Sequence, residues 1–273
     1  MEGGSEMSKK WTAYFYVFKL QIQKSLAYRF DVYSNVLGQC IVMFATAFFW
    51  KALYAGQESV KGVAVEDMLV YTIISSAMAM LFSINVQNRV TDSVWKGTIA
   101  TDMVKPIGVF GLYFFEDLGN TIMIFFQNVI PIVLIGSIFI AVPKPDSMAA
   151  FALFVFCLMI SYLINWLLAA CFSTIAFVVI RVGPWGATKE HLIRLLSGSI
   201  IPMWFFPEGL RRVLEFFPFV YLYQLPLDIY IGKYDLKEYL PRIGMQLMWL
   251  LLFFLLFQYL QQKVMKHVMV QGG

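Results

Sequence analysis

The chain has 273 residues, of which 60% are hydrophobic and only 14% charged, and its net charge is +4. One soluble domain cannot hide that much apolar side chain, so the solvent for most of the chain is lipid, and its length leaves room for a single membrane domain over 1–273. The cations sit at the ends of apolar runs rather than on one basic face, which argues against nucleic acid as a partner.

Residues 1–10 read as a polar leader with no structure assigned, and no apolar run followed by a small-residue cleavage site marks a signal peptide. Trp11, Phe15, Phe18, Ile22 and Leu26 then recur at helical spacing, with Lys19 at the edge of their stripe. Segment 11–32 is read as an amphipathic helix on the cytosolic surface, with a soluble helix packed on a partner as the alternative. Charge-free runs mark the spans: Tyr33–Trp50, Met68–Asn88, Leu118–Pro143, Ser147–Ile180 and Ile243–Gln262. The fourth would be about 50 Å long as a straight helix, so it must project, tilt or break.

Between the second and third runs lies the compact loop Asn85–Gly108. It mixes Asp92, Lys96 and Asp102 with Val94, Trp95, Ile99, Met103 and Val104. Gly97 divides it into two short turns, Thr98 is positioned to cap the second, and Pro106 ends it. An exposed aromatic ringed by charge suits a docking element, although a plain connector resting on the membrane would have the same composition. At the start of the third run, Glu116, Asp117, Asn120, Gln127 and Asn128 share one helix face. They read either as a hydrated pathway wall or proton site, or as interfacial acids followed by amides that bond between helices. Asn165, inside the fourth run, reads as interhelical glue.

The stretch from Ser197 to Phe219 is apolar but holds Pro202, Pro207, Arg211 and Arg212. A helix over 185–206, with Lys189, Glu190, His191 and Arg194 at its foot, would be about 33 Å long and would cross. Past Pro207, a short amphipathic helix puts Glu208, Arg211, Arg212 and Glu215 on one face, as at an interface. The following apolar segment, spoiled by Pro218, Pro226 and Asp228, reads as a shallow re-entrant element. Six spans would leave 13 Lys and Arg inside against 8 outside, whereas five would leave 16 against 5. The charge rule favours five and the helix wheel favours six, so the residues alone leave both topologies open.

No Gly-x-Ser-x-Gly, Cys-x-x-Cys or GxxxxGK[ST] motif is present, so the chain has no such nucleophile or phosphate loop. His191 and His267 lack ligand-spaced neighbours, so no metal site is expected. Cys40, Cys157 and Cys171 all lie inside apolar runs and read as packing residues.

In their order and spacing, Ala27–Gln39 (AYRFDVYSNVLGQ), Val94–Gly108 (VWKGTIATDMVKPIG) and Leu195–Phe219 (LLSGSIIPMWFFPEGLRRVLEFFPF) resemble the permease subunits of type-2 ABC exporters. The closest likeness is to the bacterial six-helix subgroup, which often pairs two different permeases with a separate ATPase. The resemblance implies an all-α polytopic membrane protein: an elbow helix, six spans in a 33–262 core, an extracellular re-entrant hairpin between helices 5 and 6, and a cytosolic tail over 263–273. It places the chain in the bacterial cytoplasmic membrane with both termini cytosolic. It implies a permease dimer, homo- or heteromeric, over two ATPase subunits, with ATP and Mg bound by the partner and no cofactor on this chain. It makes Asp92, Val94, Trp95, Lys96, Gly97, Thr98, Ile99, Asp102 and Met103 a coupling helix against the ATPase. Ile201, Pro202, Met203, Phe205 and Phe206 become an apolar outer gate. A lining rich in Phe, Met, Trp and Ile suits an amphipathic or lipid-like cargo. The rival readings are a polysaccharide or glycolipid exporter, a membrane enzyme using Glu116 and Asp117, and a membrane anchor for a cytosolic partner.

Overall fold

The computed structural model describes the backbone of residues 2–27, 29–105, 107–177 and 185–265, and the side chains of 11–25, 32–105, 107–177 and 188–264. The side chain of Leu26, Pro106, and the tail from 266 onward, with His267, lie outside the described residues. Among the described residues, five helical stretches are long and apolar enough to cross a membrane: Val32–Tyr54, Val65–Trp95, Val109–Phe139, Met148–Phe177 and Leu236–Val264. Each contains one of the five expected charge-free runs, or most of it.

Helix α1 (Glu2–Ala27) starts well before the expected elbow and includes most of the segment left without structure. The face it turns to the bundle overlaps the apolar stripe in part, at Phe18 and Ile22. Trp11 and Phe15 point outward, whereas Ala13, Tyr14, Val17, Phe18 and Gln21 turn toward the bundle. The reason lies in α6 (Val109–Ile124), where Gly111 and Gly119 stand two turns apart. A Cβ at Gly111 would come 2.6 Å from the Tyr14 hydroxyl, and one at Gly119 would come 3.0 Å from the Phe18 carbonyl. Missing side chains thus let the two helices close up. Tyr14 then stacks on Phe115 at 4.8 Å, and its hydroxyl accepts from the Gly108 N–H at 3.2 Å.

Helix α2 (Arg29–Tyr54) leads to a two-stranded hairpin, β1 (Ser59–Val60) with β2 (Val63–Ala64). The second span is helix α3 (Val65–Leu81), a non-helical break, and helix α4 (Val86–Trp95), followed by α5 (Ile99–Met103). These elements define two ends of the molecule, a hairpin end and an α5 end. In the third span, α6 passes through a π turn (Phe125–Val129) into α7 (Ile130–Phe139). In the fourth span, α8 (Met148–Ser173) begins with Ser147 accepting the Ala150 N–H and tightens into a 3-10 turn at Thr174–Phe177, and the rest of the expected run, to Ile180, lies outside the described residues.

The single helix expected over 185–206 is not formed. Helix α9 (Trp185–Leu196) has 12 residues, about 18 Å. It stops because Gly198 adopts φ +84°, a left-handed conformation that ends helices. A Cβ there would lie 2.3 Å from Gln224 Oε1. The chain still travels the length of α3. Lys189 Nζ donates to Gln87 Oε1 (2.6 Å) near the α5 end, and Lys61 Nζ donates to the Trp204 carbonyl (3.0 Å) at the hairpin end.

Helix α10 (Glu208–Leu214) follows, and then the segment expected to be shallow goes deep. A 3-10 turn (Pro218–Tyr221) leads to Tyr223, whose ring meets Phe82 at the far end of α3 (5.0 Å). Helix α11 (Gln224–Tyr230), buried along its whole length, climbs back until the Tyr230 hydroxyl donates to the Pro143 carbonyl. Non-helical backbone at this depth must find protein partners. The Tyr221 carbonyl accepts from Ser161 of α8 and from Gln246 of α12 (Tyr239–Met265), both at 2.9 Å. The Ser197 carbonyl accepts the Gln224 N–H at 3.0 Å.

Candidate functional site

Helices α4 and α5 form a compact unit at one end of the bundle, hinged at Gly97, whose φ of +71° only glycine takes readily. Ile99 is buried, and Val94 and Met103 pack against the core, so these three hold the unit in place. Asp92, Trp95, Lys96 and Thr98 face outward with Val104, and Trp95 is 56% exposed. The Asp92–Lys96 pair (3.5 Å) is exposed and contributes little. Thr98 does not cap α5 with its side chain. Its hydroxyl turns back toward the Ser93 carbonyl (3.5 Å), while its own carbonyl accepts the Thr101 N–H.

Braces tie this unit to α6. Asp102 accepts from Lys105 (2.6 Å) and from the Tyr113 hydroxyl (2.7 Å). Partial burial alone would raise the Asp102 pKa, but these two hydrogen bonds hold it below the ordinary carboxylate value. Arg89 pairs with Glu116 and lies over the Tyr113 ring at 5.3 Å. Asp117, 4% exposed, accepts the Asn85 and Val86 N–H groups (3.2 and 3.1 Å) and the Trp166 indole N–H (3.0 Å). It therefore satisfies the start of α4 and pins it to α8.

The expected polar stripe thus divides. Glu116 and Asp117 are bonded to α4 and α8, whereas Asn120, Gln127 and Asn128 line a cavity of about 410 Å³ between α1, α2, α3 and α6. Gln21, Ser25 and Asn35 line it from the other side, and the Ser25 hydroxyl reaches Asn120 Oδ1 at 3.4 Å. The π turn, Phe125–Val129, lies within this face and carries Gln127 and Asn128.

The expected gate residues sit near the hairpin end. Pro202 and Met203 are buried, and Ile201, Phe205 and Phe206 are half-buried. Phe205 stacks on Trp50 of α2 (4.9 Å), and Met203 and Phe206 pack with Leu196, Leu214 and Val220. The turn is held by side chains that sequence reasoning missed. Gln224 Oε1 accepts the Met203 N–H (2.9 Å), and the Tyr71 hydroxyl reaches both the Gly198 carbonyl (2.7 Å) and Gln224 Oε1 (3.0 Å). A second missed group surrounds a cavity of about 90 Å³ lined by Trp204, Arg211, Asp228, Lys233 and Arg242. Its signal was available: Gln224 and Asp228 stand one helical turn apart in an apolar run, and Gln224 Nε2 donates to Asp228 Oδ1 at 2.6 Å.

A family model described as ABC-2 family transporter protein matches residues 40–272. The chain belongs to the ABC-2 family. No curated protein and no solved structure matches it. As an ABC-2 protein it is a transporter permease component, a multi-pass membrane protein. The family works with ABC ATPase subunits, and ATP hydrolysis resides in them. Among the described residues, no group of three His, Cys, Asp or Glu is placed to hold a metal ion.

Proposed function

We propose that this ABC-2 permease is the membrane half of an ATP-driven exporter, moving an amphipathic or lipid-like molecule out of a bacterial cytoplasm by alternating access. Two copies of the ATPase would dock below a permease dimer, each against the α4–α5 unit. The observation that carries the reading is mechanical. Trp95 and Val104 stand exposed beside Asp92 and Lys96, on a unit tied to α6 and α8 through Asp102, Glu116 and Asp117. An exposed aromatic among charges is a docking anchor, and a braced helix pair passes a push on rather than absorbing it. Closure of the ATPases would tilt the spans and part the Ile201–Phe206 stretch, which serves as the outer gate. The broken passage from Lys189 to Trp204 counts as a sixth crossing, so both termini face the cytosol.

The cargo class rests on the cavity where the amides of Asn35, Asn120, Gln127 and Asn128 meet Met123 and Ile124. Such a site takes a polar headgroup on an apolar body. A glycolipid is the second reading, favoured by the predominance of neutral hydrogen-bonding side chains over charges there. The test is reconstitution with the cognate ATPase in vesicles, following ATP-dependent movement of labelled amphiphiles. Flux that persists without ATP sinks the exporter reading. Chemical turnover of a substrate by the permease without its ATPase, abolished in a Glu116→Gln, Asp117→Asn variant that still assembles, would favour the enzyme reading instead. A cysteine at position 211 that an impermeant reagent labels only in broken cells sinks the six-crossing topology.

A further inference from the structure

We propose that the small cavity at the hairpin end, ringed by Arg211, Lys233 and Arg242, binds an oxyanion of the phosphate or carboxylate class. This does not depend on the export reading, because it concerns binding and not flux.

Three cations line the cavity against two carboxylates, Glu215 and Asp228. Asp228 is already engaged, and Glu215 is half exposed. Asp228, 2% exposed, accepts from Gln224 and lies 3.6 Å from Arg242. Glu215 lies 3.6 Å from Arg211 Nε, beyond hydrogen-bonding distance. Lys233 is left with no carboxylate within 4 Å among the described residues, and its ammonium rests 3.3 Å from the Trp204 ring centroid. Burial pushes Lys233 down to about 8 against the pull of Asp228, and the Arg211 and Arg242 charges add to the fall. Asp228 acts on this cation only from beyond 4 Å and shares its charge with Arg242.

The unsatisfied atoms point the same way. The Trp204 indole N–H is buried without an acceptor, as is Arg211 Nε, and both residues line this cavity. Trp204 itself is 94% buried, being 6% exposed. Unpaired buried donors are costly and uncommon, and here two of them belong to residues that line one cavity with three cations. The volume of about 90 Å³ suits one small tetrahedral or planar oxyanion. The bland alternative is that the cations only neutralise Asp228 and Glu215. That alternative leaves both orphan donors without a role.

The shared chemistry has two sources, a free anion or the headgroup of an anionic lipid. The test uses the complete permease–ATPase complex in a neutral detergent. Calorimetric titrations would be run with inorganic phosphate, with short-chain phosphatidate below its micelle concentration, and with the matching uncharged diacylglycerol. Saturable binding of phosphate and phosphatidate supports the site with a free anion as ligand, and binding of phosphatidate alone supports it with a lipid headgroup. Lys233→Met should weaken either by about tenfold, the effect of one charge-assisted hydrogen bond. Trp204→Phe, which keeps the ring under Lys233 but removes the N–H, should weaken it by a smaller, measurable factor. If Lys233→Met does not assemble, Lys233→Arg and Trp204→Phe decide, with retention by the first and loss by the second expected. No anion binding, equal binding of diacylglycerol, or unchanged affinity in Lys233→Met or Trp204→Phe overturns the proposal.

Discussion

Two buried aspartates divide the molecule's labour. Asp117, near the α5 end, spends its oxygens on two backbone N–H groups and an indole, all from this chain. Asp228, near the hairpin end, has one amide donor and a loosely held arginine, and it stands beside a cavity. A carboxylate whose partners are all local is a fastener. One left in a charged cluster with spare donors nearby leaves room for a guest. The same residue type, equally buried, thus fastens three donors at one end and stands beside a cation-lined cavity at the other, and the count of partners tells them apart.

The largest effect expected from this contrast is at Asp117. Asp117→Ala strands three buried N–H donors, at a cost of about 4 kcal/mol or more. The thermal unfolding midpoint of the purified complex should fall markedly, and ATP turnover should uncouple from flux. Asp117→Asn keeps a carbonyl acceptor and should lose less. A wild-type midpoint in the alanine variant would dissolve the distinction between the two aspartates.

Next in size comes the turn at Gly198. An alanine there must adopt φ +84° and push away Gln224, which also holds Met203 and Tyr71. The expected loss is about 3 kcal/mol, with the strain and the broken hydrogen bonds acting together. Increased protease cleavage between α9 and α10 would report it. Unchanged protease resistance would mean that the hairpin end does not depend on this turn.

How far these features were legible in the sequence follows from the range of the interactions behind them. The five spans were readable because absence of charge over about 20 residues is a local property. The Gly97 hinge was readable too, since glycine at a turn needs no distant partner. The interruption of the 185–206 helix was not. It depends on Gly198 facing Gln224, which stands 26 positions away, and no window on α9 contains that partner. The sequence could not tell whether Asp117 was a pathway acid or an interfacial one, because its ligands, Asn85, Val86 and Trp166, come from other parts of the chain. The period of the elbow helix was legible, but the face that packs on α6 was not, since Gly111 and Gly119 choose which face of α1 can approach. The depth of the 218–230 segment was hidden for the same reason: Ser161 and Gln246 satisfy its backbone from α8 and α12.

A smaller effect is expected at the exposed face of the α5 end. Trp95→Ala should cost about 2 kcal/mol of ATPase affinity, roughly 30-fold, if the indole is the docking anchor. The fold should hold, because Trp95 is more than half exposed. Co-purification of the ATPase at graded concentrations measures this. Equal affinity in the variant would move the docking anchor elsewhere on the unit.

The smallest effect concerns Asp102, which shares features with both aspartates: it is partly buried, but it is paired with Lys105 and Tyr113 across the brace. Its folded-state pKa is held below the unfolded value of about 3.9, so the carboxylate is the form that stabilises. That stabilisation is complete above the unfolded pKa and disappears as pH falls through the folded one. Asp102→Asn should therefore lower the unfolding midpoint at pH 7 by an amount equivalent to about 1–2 kcal/mol. The gap between variant and wild type should close only under acid conditions, below pH of about 4. A gap that stays constant down to pH 3 would mean that Asp102 acts through shape rather than charge. The brace would then owe its stiffness to Arg89 over Tyr113 and to Glu116, and Asp117 would remain the one carboxylate at that end whose loss unfastens α4.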